Sequence, residues 1–307
     1  MKHLFYLLSG LVAAGIILSS CKKFSTPPTV AFSTPLQALI NSDTSLSVFY
    51  AVVKKAGEDS LYGGTRAVTV LIPTNAAFAA VGITAATIDA MPANAADSLL
   101  RYHFIPDTLS LAPGSYQAYN SLLRVPVYGY GNPDSLGNYF NGSLAGFQKL
   151  PGSNATVYEL SAPLQIPAAS LASMLASDTS LSYFSEALKH ASLDPATVTG
   201  WITLLAPDNA AFRAAGYATL ADIDNADTNT LSNILQYHML PQQYFSNGFT
   251  GLETVMSLQG TVIQLSFNNG LVQFTGTGNS MAAGITRYNR IAGDHIIVQN
   301  INGVLMP

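Results

Sequence analysis

The only cysteine among the 307 residues, Cys21, closes an apolar leader in a setting where a thiol can be joined to lipid. Lys2 and His3 form a short polar start, Leu4 to Ile17 is an almost uncharged apolar run, and Leu18-Ser19-Ser20-Cys21 follows. An aliphatic residue, two small residues and a cysteine make a lipobox. Small side chains fit a signal peptidase cleft, and the thiol forms the thioether to diacylglycerol. An ordinary secretory leader, or a membrane helix that happens to end in cysteine, is the plainer alternative. The expectation is a lipoprotein signal peptide over residues 1–20 and a polar, proline-rich tether over residues 21–35. Acyl chains such as palmitate would then hold Cys21 at a membrane, at about 0.8 kcal/mol per buried CH2. A single cysteine leaves no internal disulfide and no cysteine-based zinc site.

Histidine and serine offer the remaining chemistry. His103 and His238 each follow a tyrosine, as Tyr102-His103 and Tyr237-His238. A histidine at a helix end among apolar residues more often bonds the backbone and stays neutral, so these pairs read as structural. His190 and His295 stand apart, and no His/Asp/Glu group has metal-ligand spacing, so no metal or cofactor is expected. Gly278-Asn279-Ser280-Met281-Ala282 resembles a nucleophile elbow, with Asp294-His295 as distant partners, but it lacks the second glycine and a following helix. Gly276-Thr277-Gly278 lacks the third glycine of a dinucleotide loop. The chain does not read as an enzyme.

The elements that position these residues are written twice. Ser42-Asp43-Thr44-Ser45-Leu46 returns as Ser177-Asp178-Thr179-Ser180-Leu181, and Pro73-Thr74-Asn75-Ala76-Ala77-Phe78 as Pro207-Asp208-Asn209-Ala210-Ala211-Phe212. With the Tyr-His pairs, every block keeps an offset of 134 or 135 residues, so each copy is a whole domain rather than a solenoid repeat. In each copy a helix follows Asp43 or Asp178, with Leu46, Phe49, Val52 and Val53, or Leu181, Phe184 and Leu188, on one face. Short strands come next, Val68 to Ile72 and Ile202 to Leu205. Thr74 and Asp208 then stand where a small Ala-rich helix needs an N-cap oxygen. A further helix runs to each Tyr-His pair, with Pro106 and Pro241 stopping it three residues later. Alternating, Gly/Asn-punctuated stretches supply later strands, including Asp294 to Val298 and the closing Gly303 to Pro307. Helices first and strands later argue for an α+β fold, with domains over residues 36–167 and 168–307.

At these blocks the chain resembles the fasciclin domain family, in two copies over about residues 32–307. Val70 to Phe78 and Leu204 to Phe212 match the first motif, Tyr102-His103 and Tyr237-His238 the Tyr-His element, and Asp294 to Pro307 the second motif. The first copy departs over Ala155 to Pro167, where the Asn-Gly before the last strand is missing. The resemblance implies a β-wedge with packed short helices, adhesive or matrix-contact roles, and no shared catalytic activity. The lipobox followed by Lys22-Lys23-Phe24 is also similar to outer-membrane lipoproteins of Bacteroidota, including those encoded beside glycan-uptake systems.

Charged residues are only 10% of the chain, and loss of residues 1–20 turns 13 basic side chains into 12 against 17 acidic ones. No basic stripe exists to neutralise phosphates, which argues against nucleic-acid binding. One segment differs between the copies. Tyr116, Tyr119, Tyr128, Tyr130 and Tyr139 stand among glycines in the first copy, and the second is poorer in tyrosine there. Rings with polar tips on such segments make contact surfaces for proteins or sugars, unless they line the core. The expectation is a lipid-anchored, non-enzymatic protein of the outer membrane, surface exposed or on the periplasmic face, that binds a surface protein or a glycan. A docking accessory of an outer-membrane glycan-uptake complex is the alternative.

Overall fold

Two aspartates begin the two halves of the fold in the same way. Asp43 and Asp178 accept the backbone N–H of Ser45 and Ser180 at 2.8 and 3.1 Å, each capping one 3-10 turn that runs straight into a helix, Ser47–Ala56 or Ser182–His190. Phe49, Val52 and Val53, and Phe184, Ala187 and Leu188, form the buried faces of these helices. Gly57 ends the first in the left-handed conformation at φ 70°, which glycine adopts without a Cβ penalty. A shorter helix precedes each, Pro35–Ser42 and Leu171–Ser177, so Pro35 belongs to the fold rather than to a tether.

The structure is a computed structural model and describes residues 35–58, 61, 67–133, 137–150 and 154–307. Cys21, the leader and the tether up to residue 34 lie outside the described residues. The strands of the first module are β1 (Val68–Pro73), β2 (Phe104–Ile105), β3 (Tyr116–Asn120), β4 (Pro126–Gly131), β5 (Asn138–Phe140), β6 (Ser143–Lys149) and β7 (Ala155–Leu160). Those of the second are β8 (Ile202–Pro207), β9 (Met239–Leu240), β10 (Thr254–Met256), β11 (Val262–Asn268), β12 (Leu271–Thr275), β13 (Ala283–Ala292) and β14 (Ile296–Ile301). Each set makes one seven-stranded sheet with the same topology, β2-β1-β7-β6-β5-β4-β3 and β9-β8-β14-β13-β12-β11-β10. Only β1–β7 and β8–β14 pair in parallel, in register Val68↔Ala155 and Ile202↔Ile296; the other neighbours are antiparallel.

Both faces of the parallel pairs are covered, which explains their unbroken apolar runs. Val70 and Ile72 turn to the helices while Leu71 joins the cluster on the opposite face. Ile202, Leu204 and Ala206 face the second set of helices, and Leu205 the other side. The architecture is therefore two tandem modules of mixed helix and sheet.

Two local expectations change. The helices before the Tyr-His pairs stop at Tyr102 and Tyr237, and the chain is already in β2 or β9 before Pro106 or Pro241. Burial of Phe104-Ile105 and Met239-Leu240 against β1 and β8, not proline, sets that stop. The closing Gly303 to Pro307 is not a strand: Gly278 donates to the Met306 carbonyl at 3.0 Å and Met306 to Asn279 Oδ1 at 2.7 Å. In the first copy β7 completes the same parallel pair as β14, without the missing Asn-Gly.

Candidate binding site at the module junction

The groups that looked reactive are occupied in holding each module together. His103 is wholly buried, with Nδ1 donating to the Leu99 carbonyl at 2.8 Å and Nε2 accepting the Leu164 N–H at 3.0 Å. His238 repeats this with Ile234 at 2.8 Å and Leu305 at 2.9 Å. An acceptor at Nε2 requires the neutral ring with its proton on Nδ1. Burial lowers both pKa values to about 4. Each histidine thus ties the end of a helix to the segment that closes its module. Tyr102 and Tyr237 beside them are fully buried and donate to the carbonyls of Pro126 and Val262, where β4 and β11 begin, at 3.0 and 2.7 Å.

Thr74 and Asp208 accept the N–H of Ala77 and Ala211 at 3.2 and 2.8 Å, each at the start of a six-residue helix. Sequence reading missed the next residue. Asn75 Oδ1 accepts the Val48 N–H at 2.9 Å while Nδ2 reaches the Thr44 carbonyl at 2.8 Å; Asn209 does the same with Tyr183 and Thr179. One amide fastens the two repeated blocks to each other, and the recurrence of asparagine in both copies was the available signal.

Ser280 and His295 are not brought together. They stand beyond opposite ends of β13, a ten-residue strand about 30 Å long at about 3.3 Å per residue. His295 Nδ1 pairs with Asp294 Oδ1 at 2.5 Å, and His190 Nε2 with the Ala226 carbonyl at 3.0 Å. Among the described residues no cluster of His, Cys, Asp and Glu could hold a metal ion. No described helix is long and apolar enough to cross a membrane.

The tyrosine-rich sheet edge turns largely inward. Pairing of Tyr116 with Tyr130, Tyr130 with Tyr139, and Ala118 with Tyr128 sets four tyrosines on one face of β3–β5. That face meets the second module. Tyr128 packs edge-on against Trp201 with ring centroids 4.9 Å apart, and Tyr116 lies 5.1 Å from Phe245. Ile291 and Ile297 complete this cluster, and Phe245 is wholly buried in it. Both hydroxyls cross the junction, Tyr116 to Asn247 Oδ1 at 2.6 Å and Tyr128 to the Asp294 carbonyl at 3.2 Å. Tyr119, opposite Val127, points the other way into the first module's own core, and Tyr130 and Tyr139 stay half-exposed beside the weld. The expected outward surface is, for Tyr116 and Tyr128, an internal contact between the two copies.

The Asn141-Gly142 hairpin between β5 and β6 completes the junction. Both residues have positive φ, 47° and 78°, and a Cβ on Gly142 would stand 2.4 Å from Asn289 Nδ2 in the second module. Below it opens a cleft of about 910 Å³. Its first wall comes from the first module's helices and from residues 161–166; Thr286 to Asn289 form the second. On that second wall Arg287 pairs with Asp178 at 2.7 Å, and buried Arg290 pairs with the same carboxylate at 2.6 Å.

The chain is similar to known proteins. The fasciclin domain matches residues 44–122 and 179–307. The chain is 27% identical over 281 residues to the transforming growth factor-beta-induced protein ig-h3 of Sus scrofa, covering 89% of this chain and 38% of that protein. It thus spans well under half of that relative's length. A solved FAS1 domain pair from the insect cell adhesion molecule fasciclin I superposes with a TM-score of 0.40 at 17% identity, over 86% of this chain and 97% of that one.

Proposed function

Because the chain belongs to the fasciclin domain family, we propose that it is a non-enzymatic, lipid-anchored cell-envelope protein whose two modules bind a protein or glycan partner. Fasciclin domains are typically adhesion-related, and that supports the binding role. The observation that carries the reading is the use made of the residues with chemical potential. His103, His238, Tyr102, Tyr237, Thr74 and Asp208 are all engaged in caps and buried struts, while the junction fuses the modules into one contact body. Such a body acts through its surface. Scarcity of charge, at 10% of residues, suits partners held by short-range contact rather than by long-range steering.

The lipobox at Cys21 supports anchoring, and Lys22-Lys23 after it supports the outer membrane. Protease shaving of intact cells, wild type against Cys21→Ala, tests the anchor and the exposed face. Cleavage only after lysis would remove the surface role. Binding of the chain without its leader is then measured on glycan and matrix-protein panels, where silence across both would remove the adhesive reading. Co-purification with an outer-membrane transporter would instead assign it as a docking accessory of glycan uptake.

A further inference from the structure

The cleft under the junction carries two exposed aliphatic side chains, Val81 and Ile166, that belong neither to the cores nor to the aromatic weld. Its first wall is aliphatic, with Val81, Ile83, Met91, Leu99, Leu164 and Ile166. Val81 and Ile166 remain 48% and 40% exposed, an uncovered apolar pair in the lining. The second copy is smaller at two of these positions: Ala215 and Ala226 take the places of Val81 and Met91, held by the same backbone hydrogen bonds to Phe212 and Ile223 as to Phe78 and Ile88, and both pack on their own core.

The opposite wall is electrostatically one-sided. Among the described lining residues none carries a negative charge, and Arg287 is the only one that carries a positive charge. Behind it, two guanidiniums share the single Asp178 carboxylate, so the cluster presents one surplus positive charge. Arg287 is half-exposed, and one of its five N–H donors is directed at Asp178. A volume of about 910 Å³ falls within the range of about 300–1,000 Å³ typical of small-molecule sites. Among the described lining residues Tyr288 is the one aromatic ring, and a floor of aliphatic side chains suits an alkyl chain better than a sugar ring.

We propose that this cleft binds a single-chain anionic amphiphile of the long-chain alkyl carboxylate class. The alkyl tail lies along Val81, Ile83, Met91 and Ile166, and the carboxylate accepts from the free N–H groups of Arg287. The site goes beyond partner binding by the outer surface and is independent of it.

Photolabelling of the full chain tests this. The probe is a long-chain fatty carboxylate bearing a diazirine, with labelled peptides mapped by mass spectrometry. Label is expected on the peptides carrying Val81–Met91 and Pro163–Ile166, falling about tenfold or more under excess unlabelled carboxylate. Arg287→Gln, which leaves Asp178 paired to Arg290, is expected to weaken labelling by about tenfold, and Val81→Asp at its exposed position to abolish it. Circular dichroism checks that both variants fold. Label scattered without preference for these peptides, equal labelling by the methyl ester, or full labelling of both folded variants would overturn the proposal. So would competition by an apolar peptide with a free C-terminus but not by the carboxylate, which would assign the cleft to peptides. Specific labelling together with silent partner panels would sink the adhesive reading alone.

Discussion

Acidification tests whether His103 and His238 are neutral struts. Each ring donates from Nδ1 and accepts at Nε2, and a protonated Nε2 can no longer accept the N–H of Leu164 or Leu305. Both pKa values fall from 6.5 to about 4 through burial. Between those values the unfolded chain takes up a proton that the folded chain refuses. Stability is therefore full above pH 6.5 and is lost as the pH falls toward 4. At about 1.4 kcal/mol per pKa unit, the loss reaches about 3 kcal/mol for each histidine. Carboxylates act lower down. Asp43, Asp178, Asp227 and Asp294 are held below the ordinary value of 3.8, chiefly by hydrogen bonds and, for Asp178, its two arginines, so their contribution disappears only below that pH. Urea unfolding across this window, followed by the fluorescence of Trp201, the only tryptophan, and by circular dichroism, measures the slope. His238→Gln should remove about half of it, and His103→Gln with His238→Gln nearly all. A wild-type stability that is flat from pH 6.5 to 4.5, or a double variant that keeps the wild-type slope, would refute the argument.

Phe245→Ala empties the centre of the junction, where the ring lies 5.1 and 6.1 Å from Tyr116 and Tyr128. It should cost about 3–5 kcal/mol and split a single calorimetric transition into two, with a red-shifted Trp201 emission. Asp178→Asn strands buried Arg290 and should cost about 3 kcal/mol or more, whereas Asp43→Asn, which caps without an arginine, should cost under about 1 kcal/mol by urea titration. Gly142→Ala, at φ 78° and against Asn289, should cost more than about 1 kcal/mol and lower the melting temperature.

The sequence showed the architecture where local chemistry decides it. Caps at Asp43, Thr74, Asp178 and Asp208, and apolar spacing along the core helices, each depend on neighbours within a few residues. Distant pairings were out of reach. The acceptor role of His103 depends on Leu164, 61 residues on, and the Asp178–Arg290 pair spans 112 residues. Val304-Leu305 has the look of a strand, yet the Leu305 N–H is claimed by a histidine ring. The tyrosine excess of the first copy was visible, but its partners Trp201 and Phe245 carry no local mark of meeting it. The cleft was invisible because its walls come from segments about 200 residues apart.

The parallel pairing of β1 with β7, and of β8 with β14, also governs when each module can form. Val68 meets Ala155 and Ile202 meets Ile296, so the first strand of each module waits about 90 residues for its parallel neighbour. Loop closure on that scale comes before any reward from the long-range ladder, which places these modules among slow folders of high contact order. A growing chain that has emitted the helices and β1 but not β7 leaves one whole edge of β1 unpaired. The module therefore closes in one late step, when its last strand arrives. A truncation that removes β14 should leave the second module unable to fold, rather than slightly weaker.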